Sequence, residues 1–281
     1  MMQGALWASS HKPNPLGVMR RCLRPGVAVA IVLVLATVAH AESSLDAIRA
    51  RGVLRVGVKS DAPPFGSLDA PGRWVGFEID LARLFARVLF DDDRRVELVP
   101  VTTATRFGVL QAGRVDLLAA TITATGERRK LAELSDPYFM SASLILVPRP
   151  SKLEELADLG GRRVAVVRGS VQERDVAELQ SRALLVAVAS AAEGARAVKG
   201  GQADAFVYDD VMLLGLAQHD PALRVTGQPI GPRPYSVAAR KGDVELIRWV
   251  NGWLAKMRRD GGYGELWRRY FGPFESRLVG G

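Results

Sequence analysis

The chain has 281 residues, 48% of them hydrophobic, which is enough for a sizeable core in one or two domains. Its 38 Lys and Arg residues outnumber 30 acidic residues, and the net charge is +8. The basic residues are scattered, with no long basic run and no alternation with aromatic residues, so we expect no nucleic-acid partner. The charge indicates solubility and a weak preference for anionic partners.

Residues 1–41 are predicted to be a secretory signal that is cleaved after Ala41. Three arginines precede an apolar run of 13 residues at 27–39, which ends in the small-residue sequence Ala39-His40-Ala41. The alternative is a membrane anchor, but the run is short for a membrane span. The residues before Met19 extend the signal unusually, so Met19 is a candidate start codon beside Met1. We therefore expect a periplasmic protein.

Cleavage would leave a chain without reactive cysteine or histidine chemistry. The signal segment contains four of the basic residues and no acidic ones, so the net charge would fall to +4. It also contains Cys22, the only cysteine. The mature chain keeps only His219, which is expected to lie in solvent within a turn-like segment. These features argue against disulfides, a metal site, a cofactor and nucleophilic catalysis by a Cys/His or Ser/His pair.

The first half of the mature chain predicts a βαβαβ arrangement, and hence an α/β domain with a mostly parallel sheet. Residues 59–66 predict a rigid loop at the carboxyl end of the first strand, where α/β sheets bind ligands. The predicted elements are a helix at 45–51, strands at 53–58 and 96–101, helices at 76–89 and 105–112, and a strand at 115–120.

The segment 115–138 predicts an anion site where a strand is followed by a helix. Thr121 and Thr123 are two residues apart, so on an extended backbone their hydroxyls would point to the same side. Thr125 predicts a helix start, with Glu127 and Arg128 in the first turn. Hydroxyls, free N–H groups and a guanidinium would then converge in a way that suits a carboxylate. The alternative is a β-branched strand followed by a solvated basic run.

The second half of the chain repeats the alternation of strands and helices. A strand at 144–147, closed by two prolines, is a natural crossing point to a second lobe, and a Gly/Pro cluster at 227–234 marks the return. The further predicted elements are helices at 153–159, 191–200, 244–258 and 263–270, strands at 163–167, 184–188, 203–208 and 235–239, and helices that begin after 170 and at 210.

The mature chain resembles the bacterial extracellular solute-binding proteins of family 3, which deliver polar amino acids to ABC importers. The match depends on the order and spacing of many short motifs rather than on any single one. Besides Arg106 and Tyr235, these motifs are residues 54–59 (LRVGVK), 61–66 (DAPPFG), 76–82 (GFEIDLA), 113–116 (GRVD), 121–128 (TITATGER), 135–138 (SDPY), 168–170 (RGS), 204–209 (DAFVYD), 240–243 (RKGD), 260–263 (DGGY) and 270–272 (YFG).

The resemblance implies a two-lobed periplasmic-binding-protein fold of type II, an α/β architecture in which two lobes are joined by two hinge strands. The first lobe would comprise residues 42–141 and 235–281, and the second lobe residues 142–234. A protein of this kind would be a monomer, would close on one amino acid, and would work with the membrane permease of an ABC importer.

The resemblance also implies which residues hold the main-chain groups of the ligand. Thr121, Thr123 and Arg128 would bind the α-carboxylate, and Asp209 would meet the α-ammonium. The alternative role for Asp209 is to cap the following helix. In the loop that adds a backbone N–H to the carboxylate site, Ser170 is followed by Val171 where relatives have a threonine, so the Val171 N–H remains but one hydroxyl contact is lost.

Selectivity for the ligand side chain is expected to come from the first loop. Lys59 takes a place where relatives that bind cationic amino acids carry an acid, so it would repel such ligands and favour glutamate, aspartate or glutamine. Arg168 on the other lobe would reinforce this preference. The alternative for Lys59 is a solvent-facing pair with Asp61. Phe65 would contact the ligand stem or belong to the core. The site is expected to include Asp61 and Ala120 as well.

Some proteins with this fold are cyclohexadienyl or arogenate dehydratases, in which a carboxylate in the cleft performs acid–base chemistry. Glu78, Glu127 and Asp209 are the acids available for that role here, and Glu78 lies in a segment that non-enzymatic relatives share. The sequence marks none of them as a base with a tuned pKa. A sensor or a module of a cell-wall enzyme is a further alternative. The sequence favours a binding protein over both.

Overall fold

The computed structural model describes residues 44–277, and the predicted signal segment at 1–41 lies outside them. Helices and strands alternate in this part of the chain, as expected, and the strands form a nine-stranded sheet and a three-stranded sheet. No helix within residues 44–277 is long and apolar enough to cross a membrane. The α/β fold class is confirmed.

The first part of the described chain builds a parallel unit of strands and crossover helices. Its elements are α1 (Ser44–Arg51), β1 (Leu54–Val58), β2 (Asp61–Ala62), β3 (Gly66–Leu68), β4 (Trp74–Val75), α2 (Phe77–Phe90), β5 (Val96–Pro100), α3 (Arg106–Gln111), β6 (Leu117–Thr123), α4 (Gly126–Leu131) and β7 (Ala132–Leu134). Strand β1 pairs in parallel with both β5 and β6. The carboxyl ends of these strands therefore meet at one edge of the sheet.

The second part forms another parallel unit and then returns to the first. Its elements are β8 (Phe139–Pro148), a 3₁₀-helix (Leu156–Leu159), β9 (Arg163–Val167), α5 (Val171–Leu179), β10 (Leu184–Val188), α6 (Ala191–Lys199), β11 (Ala205–Asp209), α7 (Asp210–His219), β12 (Leu223–Arg240), α8 (Val244–Arg259), α9 (Gly262–Phe271) and a C-terminal 3₁₀-helix (Gly272–Arg277). Strand β9 pairs in parallel with β10 and β11.

Two long antiparallel strands, β8 and β12, lie between the two parallel units. The strand order in the large sheet is β10-β9-β11-β8-β12-β6-β1-β5, with β7 also paired to β12. Strand β8 pairs with β11, β12 pairs with β6, and the two long strands pair with each other. Each parallel unit belongs to one lobe, so the two lobes are connected through β8 and β12.

The predicted bounds of these connecting strands were too short. The Gly/Pro cluster at 227–234 is expected to mark the return to the first lobe before a strand at 235–239, but it lies within the 18-residue strand β12. The register between β12 and β8 shifts on both sides of Ile230, and Gly227 and Gly231 have positive φ angles. Such irregularities absorb residues that a regular ladder would reject. The helix expected at 153–159 is only a single 3₁₀ turn.

An aromatic cluster fills the core of the first lobe beneath the loop at 59–66. The Phe65 ring lies 5.0 Å from the Phe139 ring and 5.1 Å from the Phe271 ring, and it also contacts Phe77 and Tyr235. The predicted rigid loop at 59–66 contains β2 and the first residue of β3, which form the small sheet together with β4. This packing fixes the loop that follows β1 against α2, and it orients Lys59 and Glu78 toward the interior.

Candidate functional site

Five of the eleven predicted ligand residues belong to one buried group of polar side chains, here called the polar cluster. Its members come from both parallel units and from β12: Lys59, Glu78, Thr103, Arg106, Thr121, Thr123, Arg128, Gln172, Tyr208, Asp209 and Tyr235. None of these side chains is more than 8% exposed. Burying so many polar groups is costly unless they bind one another or a ligand.

Arg128 joins the start of α4 to the loop before α5. The Thr125 hydroxyl caps α4 by accepting a hydrogen bond from the Arg128 N–H at 3.2 Å, which confirms the predicted helix start. The guanidinium donates to the Thr123 carbonyl at 3.1 Å and to the Gly169 carbonyl at 3.3 Å. Burial, with the Arg106 charge adding to it, lowers the pKa of Arg128 to about 9, so the side chain is still cationic at neutral pH.

The extended conformation expected at Thr121 was wrong. Its φ angle is +49°, which is in the left-handed region that β-branched residues rarely adopt. The pairing of β6 with β12 shifts register at this point, between Ser236 and Ala238. The Thr121 N–H leaves the ladder and donates to the Glu78 carboxylate at 2.6 Å. The backbone at Thr121 is therefore not that of a regular extended strand, and the two-residue spacing of Thr121 and Thr123 does not by itself align their hydroxyls.

Arg106 is a member of the cluster to which sequence reasoning assigned no role. It begins α3, and its guanidinium donates to the carbonyl oxygens of Ala120 and Thr121. Its Nε atom is buried without a hydrogen-bond partner among the described residues. Burial lowers the pKa of Arg106. Its position after the carboxyl end of β5, at a helix start, was the signal that could have identified it.

Lys59 lies at the carboxyl end of β1 and contacts the second lobe. Its side chain is 1% exposed, so the solvent-facing alternative is wrong. The ammonium donates to the Thr103 hydroxyl at 3.2 Å and to the Tyr208 hydroxyl at 3.3 Å, and it lies 3.5 Å from Asp61. Burial disfavours the charged form, but Tyr208 and Asp61 favour it, and the pKa of Lys59 is raised. Lys59 is therefore a buried cation.

Asp209 contributes the carboxylate of the second lobe. It occupies the position before α7, but its side chain makes no capping hydrogen bond. Instead it accepts a hydrogen bond from the Gln172 amide at 2.7 Å, and the same amide donates to the Ser143 hydroxyl at 2.8 Å. Burial raises the pKa of Asp209. Burial and the nearby Asp209 carboxylate raise the pKa of Tyr235 well above its usual value.

The remaining predicted site residues have more varied surroundings. Ser170 caps α5 by accepting from the Glu173 N–H at 3.2 Å, and Val171 is the first residue of that helix, where N–H groups lack an intrahelical partner. Phe65 packs in the aromatic cluster, and Arg168 is exposed. Ligand contacts of these residues stay predictions.

A cavity of about 300 Å³ lies beside Arg128, and residues of both lobes line it. It is lined by the Thr103–Phe107 region, by α4 and by the Gly169–Arg174 region. The Phe107 ring faces two guanidiniums, with its centroid 5.7 Å from Arg106 and 6.0 Å from Arg128. Across this opening Arg174 forms an exposed ion pair with Glu127 at 2.8 Å.

Residues 44–277 offer little that would support a metal site or a catalytic acid or base. No three His, Cys, Asp or Glu side chains within residues 44–277 are arranged to hold a metal ion. His219 is exposed, as expected, and its ring contacts the Gly215 carbonyl at 2.8 Å. Of the candidate acids, Glu127 is 71% exposed and paired with Arg174, whereas Glu78 is bonded to the Thr121 backbone.

Comparison with known proteins agrees with this fold. The chain is 34% identical to a glutamine-binding protein of an ABC transporter from Bacillus subtilis (strain 168), over 82% of this chain and 85% of the relative. An ancestral arginine-binding protein, solved with glutamine and with arginine, is 34% identical with a TM-score of 0.75, over 79% of this chain and 99% of that chain.

A third similar structure is an ancestral amino-acid-binding protein described as a precursor of cyclohexadienyl dehydratase. It is 36% identical with a TM-score of 0.75, over 82% of this chain and 100% of that chain. The family model for bacterial extracellular solute-binding proteins, family 3, matches residues 54–273. The chain belongs to that family.

Proposed function

We propose that this protein binds a polar amino acid in the polar cluster and delivers it to the permease of an ABC importer, with glutamate, aspartate or glutamine as the preferred ligand. The observation that carries this proposal is the buried Arg128 guanidinium, which lies between the starts of two helices that belong to different lobes. Amino-acid transport through a binding protein is the activity of the relatives that the chain resembles.

The α-carboxylate of the ligand would bind Arg128. A guanidinium matches a carboxylate in two parallel hydrogen bonds, and N–H groups at the start of α5 favour the same charge. The carbonyl oxygens that now accept from Arg128 belong to Thr123 and Gly169, on the two sides of the opening. A bound carboxylate would therefore link both lobes, which is how ligand binding would favour closure.

The α-ammonium of the ligand would bind Asp209. This carboxylate is 5% exposed and its described hydrogen bond comes from a neutral amide, Gln172. An ammonium would add a directly bonded positive charge to the favourable charges of Lys59 and Arg106, and the cost of burying the carboxylate would fall. The raised pKa of Asp209 should return toward its usual value when the ligand is bound.

The charges of the polar cluster discriminate against a cationic side chain. The cluster contains three cations, Lys59, Arg106 and Arg128, and two carboxylates, Glu78 and Asp209. Glutamate or aspartate, each with net charge −1, would balance this excess. If the half-buried Asp61 is counted as a third carboxylate, the charges already cancel, and a neutral ligand such as glutamine keeps them balanced. Arginine or lysine would add a further positive charge in either case, at a cost of several kcal/mol.

Calorimetry on the chain from residue 42 tests both parts of this assignment. Titration with glutamate, aspartate, glutamine, arginine, lysine and histidine gives the ligand class. Titration with γ-aminobutyrate, which lacks the α-carboxylate of glutamate, and with N-acetylglutamate, which lacks the free ammonium, tests the two main-chain contacts. We expect both analogues to bind at least about a hundredfold more weakly than the preferred amino acid. Tight binding of either analogue would contradict the assignment.

The lobe bounds, the location and the oligomeric state form part of the same proposal. We place the lobes at residues 42–141 with 235–281 and at residues 142–234. The exported chain would be a periplasmic monomer that begins near Glu42. Mass spectrometry of the exported protein and its molar mass in solution test these points, and a mature N-terminus far from Glu42 would contradict the signal assignment.

The second candidate function is a cyclohexadienyl or arogenate dehydratase, because one similar structure is a precursor of such an enzyme. The named relatives from transporters favour a binding protein without catalytic activity. An assay for loss of prephenate or arogenate separates the two functions. We expect no turnover, and measurable turnover would establish the enzyme.

A further inference from the structure

Glu78 is the most deeply buried carboxylate beside the proposed ligand site, and the proposed ligand contacts do not use it. Its side chain is 0% exposed, and its Oε1 atom accepts hydrogen bonds from the Thr121 N–H at 2.6 Å and from the Tyr138 hydroxyl. Its Oε2 atom is buried without a partner among the described residues. A carboxylate in such surroundings needs a compensating role.

The backbone that Glu78 holds is in an unfavourable conformation. Thr121 has a φ angle of +49°, and a β-branched residue in this region is a true outlier. Such a conformation persists only where the surroundings impose it. Here the Thr121 N–H cannot join the β6–β12 ladder, because the register shifts at this point, and it takes the Glu78 oxygen instead.

The same backbone corner positions the buried guanidiniums. Arg106 donates to the carbonyls of Ala120 and Thr121, and Arg128 donates to the carbonyl of Thr123. A rotation of the Thr121 peptide toward the extended conformation would redirect the carbonyl groups that Arg106 contacts.

We propose that Glu78 is a positioning residue for ligand binding: it holds Thr121 in the left-handed conformation and thereby fixes Arg106, and with it the charge arrangement of the site. This inference rests on the proposed amino-acid binding. It adds a determinant of affinity that is separate from the groups that would touch the ligand. The property of Glu78 that positions Thr121 is its hydrogen-bond acceptor at Oε1, because both of its hydrogen bonds use that one atom.

Variants at Glu78 and Thr121 separate positioning from simple packing. Glu78→Gln keeps an acceptor oxygen of the same reach, whereas Glu78→Met removes it. Thr121→Gly removes the conformational penalty, because glycine adopts positive φ readily, so the corner would no longer depend on the carboxylate. The experiment measures affinity for the preferred amino acid by calorimetry and records the thermal unfolding midpoint of each variant.

We expect Glu78→Met to bind the preferred amino acid about tenfold or more weakly than Glu78→Gln, because both variants remove the charge and only methionine removes the acceptor. In the Thr121→Gly background, the effect of Glu78→Met on affinity should shrink to about threefold or less. The loss of thermal stability caused by methionine should be similar in both backgrounds, because the Tyr138 contact is lost in each. If Glu78→Met does not fold, Glu78→Asp, which is one methylene shorter, takes its place.

Two results would overturn the inference. One is an unchanged affinity in Glu78→Met, and the other is a loss of affinity that is equally large in the Thr121→Gly background. Both require that the unmodified protein binds an amino acid. If it binds none, the proposed function fails first, so the two failures are distinguishable.

Discussion

Replacement of Arg128 by alanine removes the group to which the ligand carboxylate is assigned. The guanidinium is 8% exposed and keeps its charge at neutral pH, because its pKa of about 9 is well above 7. Loss of one partner from a buried, hydrogen-bonded charge pair costs about 2–5 kcal/mol. At about 1.4 kcal/mol per tenfold change in affinity, Arg128→Ala should weaken binding roughly 30-fold to several-thousand-fold.

The matched control for this variant is Arg129→Ala, which removes the same side chain from the next position. Arg129 is exposed and its side chain makes no described hydrogen bond. The affinity of the Arg129→Ala variant should therefore stay within about twofold of that of the unmodified protein. Calorimetry with the preferred amino acid measures both affinities, and circular dichroism on heating confirms that both variants fold. A folded Arg128→Ala variant with unchanged affinity would refute the carboxylate assignment.

Substitutions at three further positions test the surroundings of the site. Lys59→Met should weaken glutamate binding by about tenfold or more and strengthen arginine binding, and calorimetry that shows neither change would contradict a role in ligand selection. Phe107→Leu should weaken binding about two- to thirtyfold, because it removes the ring that faces two guanidiniums, whereas Phe107→Tyr should keep the affinity. If the leucine and tyrosine variants bind equally tightly, the ring has no role in binding. Burial raises the pKa of Asp210 to about 6 in the folded protein. Ionisation of this buried carboxyl group therefore lowers the free energy of unfolding as the pH rises from about 4 to 6. Asp210→Asn should therefore unfold at a higher temperature than the unmodified protein at pH 8 and lose this advantage near pH 4; an advantage that is independent of pH would contradict the raised pKa.

The alternation of apolar strands and amphipathic helices could be predicted from the sequence, because each element carries its own periodicity and its own end signals. Thr125 is an example, since an N-cap acts within its own turn and needs no distant partner. The bounds of β12 could not be predicted in this way. Its Gly/Pro segment lies in a strand only because β8 offers a long partner with two shifts in register.

The polar cluster was predictable where it follows from strand ends and was missed where it depends on distant contacts. Lys59 and Asp209 lie at the carboxyl ends of strands, and both are buried in the polar cluster. The left-handed conformation of Thr121 depends on Glu78, which is 43 residues away in the chain, so no local pattern reveals it. Arg106 had a local signal, its position at a helix start after β5, but its place in the cluster depends on carbonyl groups that β6 supplies.

In the proposed function, three buried cations that face two buried carboxylates select a ligand that is not cationic. The most direct test is the ratio of the dissociation constants for arginine and for the tightest of glutamate, aspartate and glutamine, measured by calorimetry on the unmodified mature chain. A penalty of several kcal/mol predicts a ratio of at least about a hundred in favour of the acidic or amide ligand. Arginine binding that is as tight as, or tighter than, all three would contradict the claim.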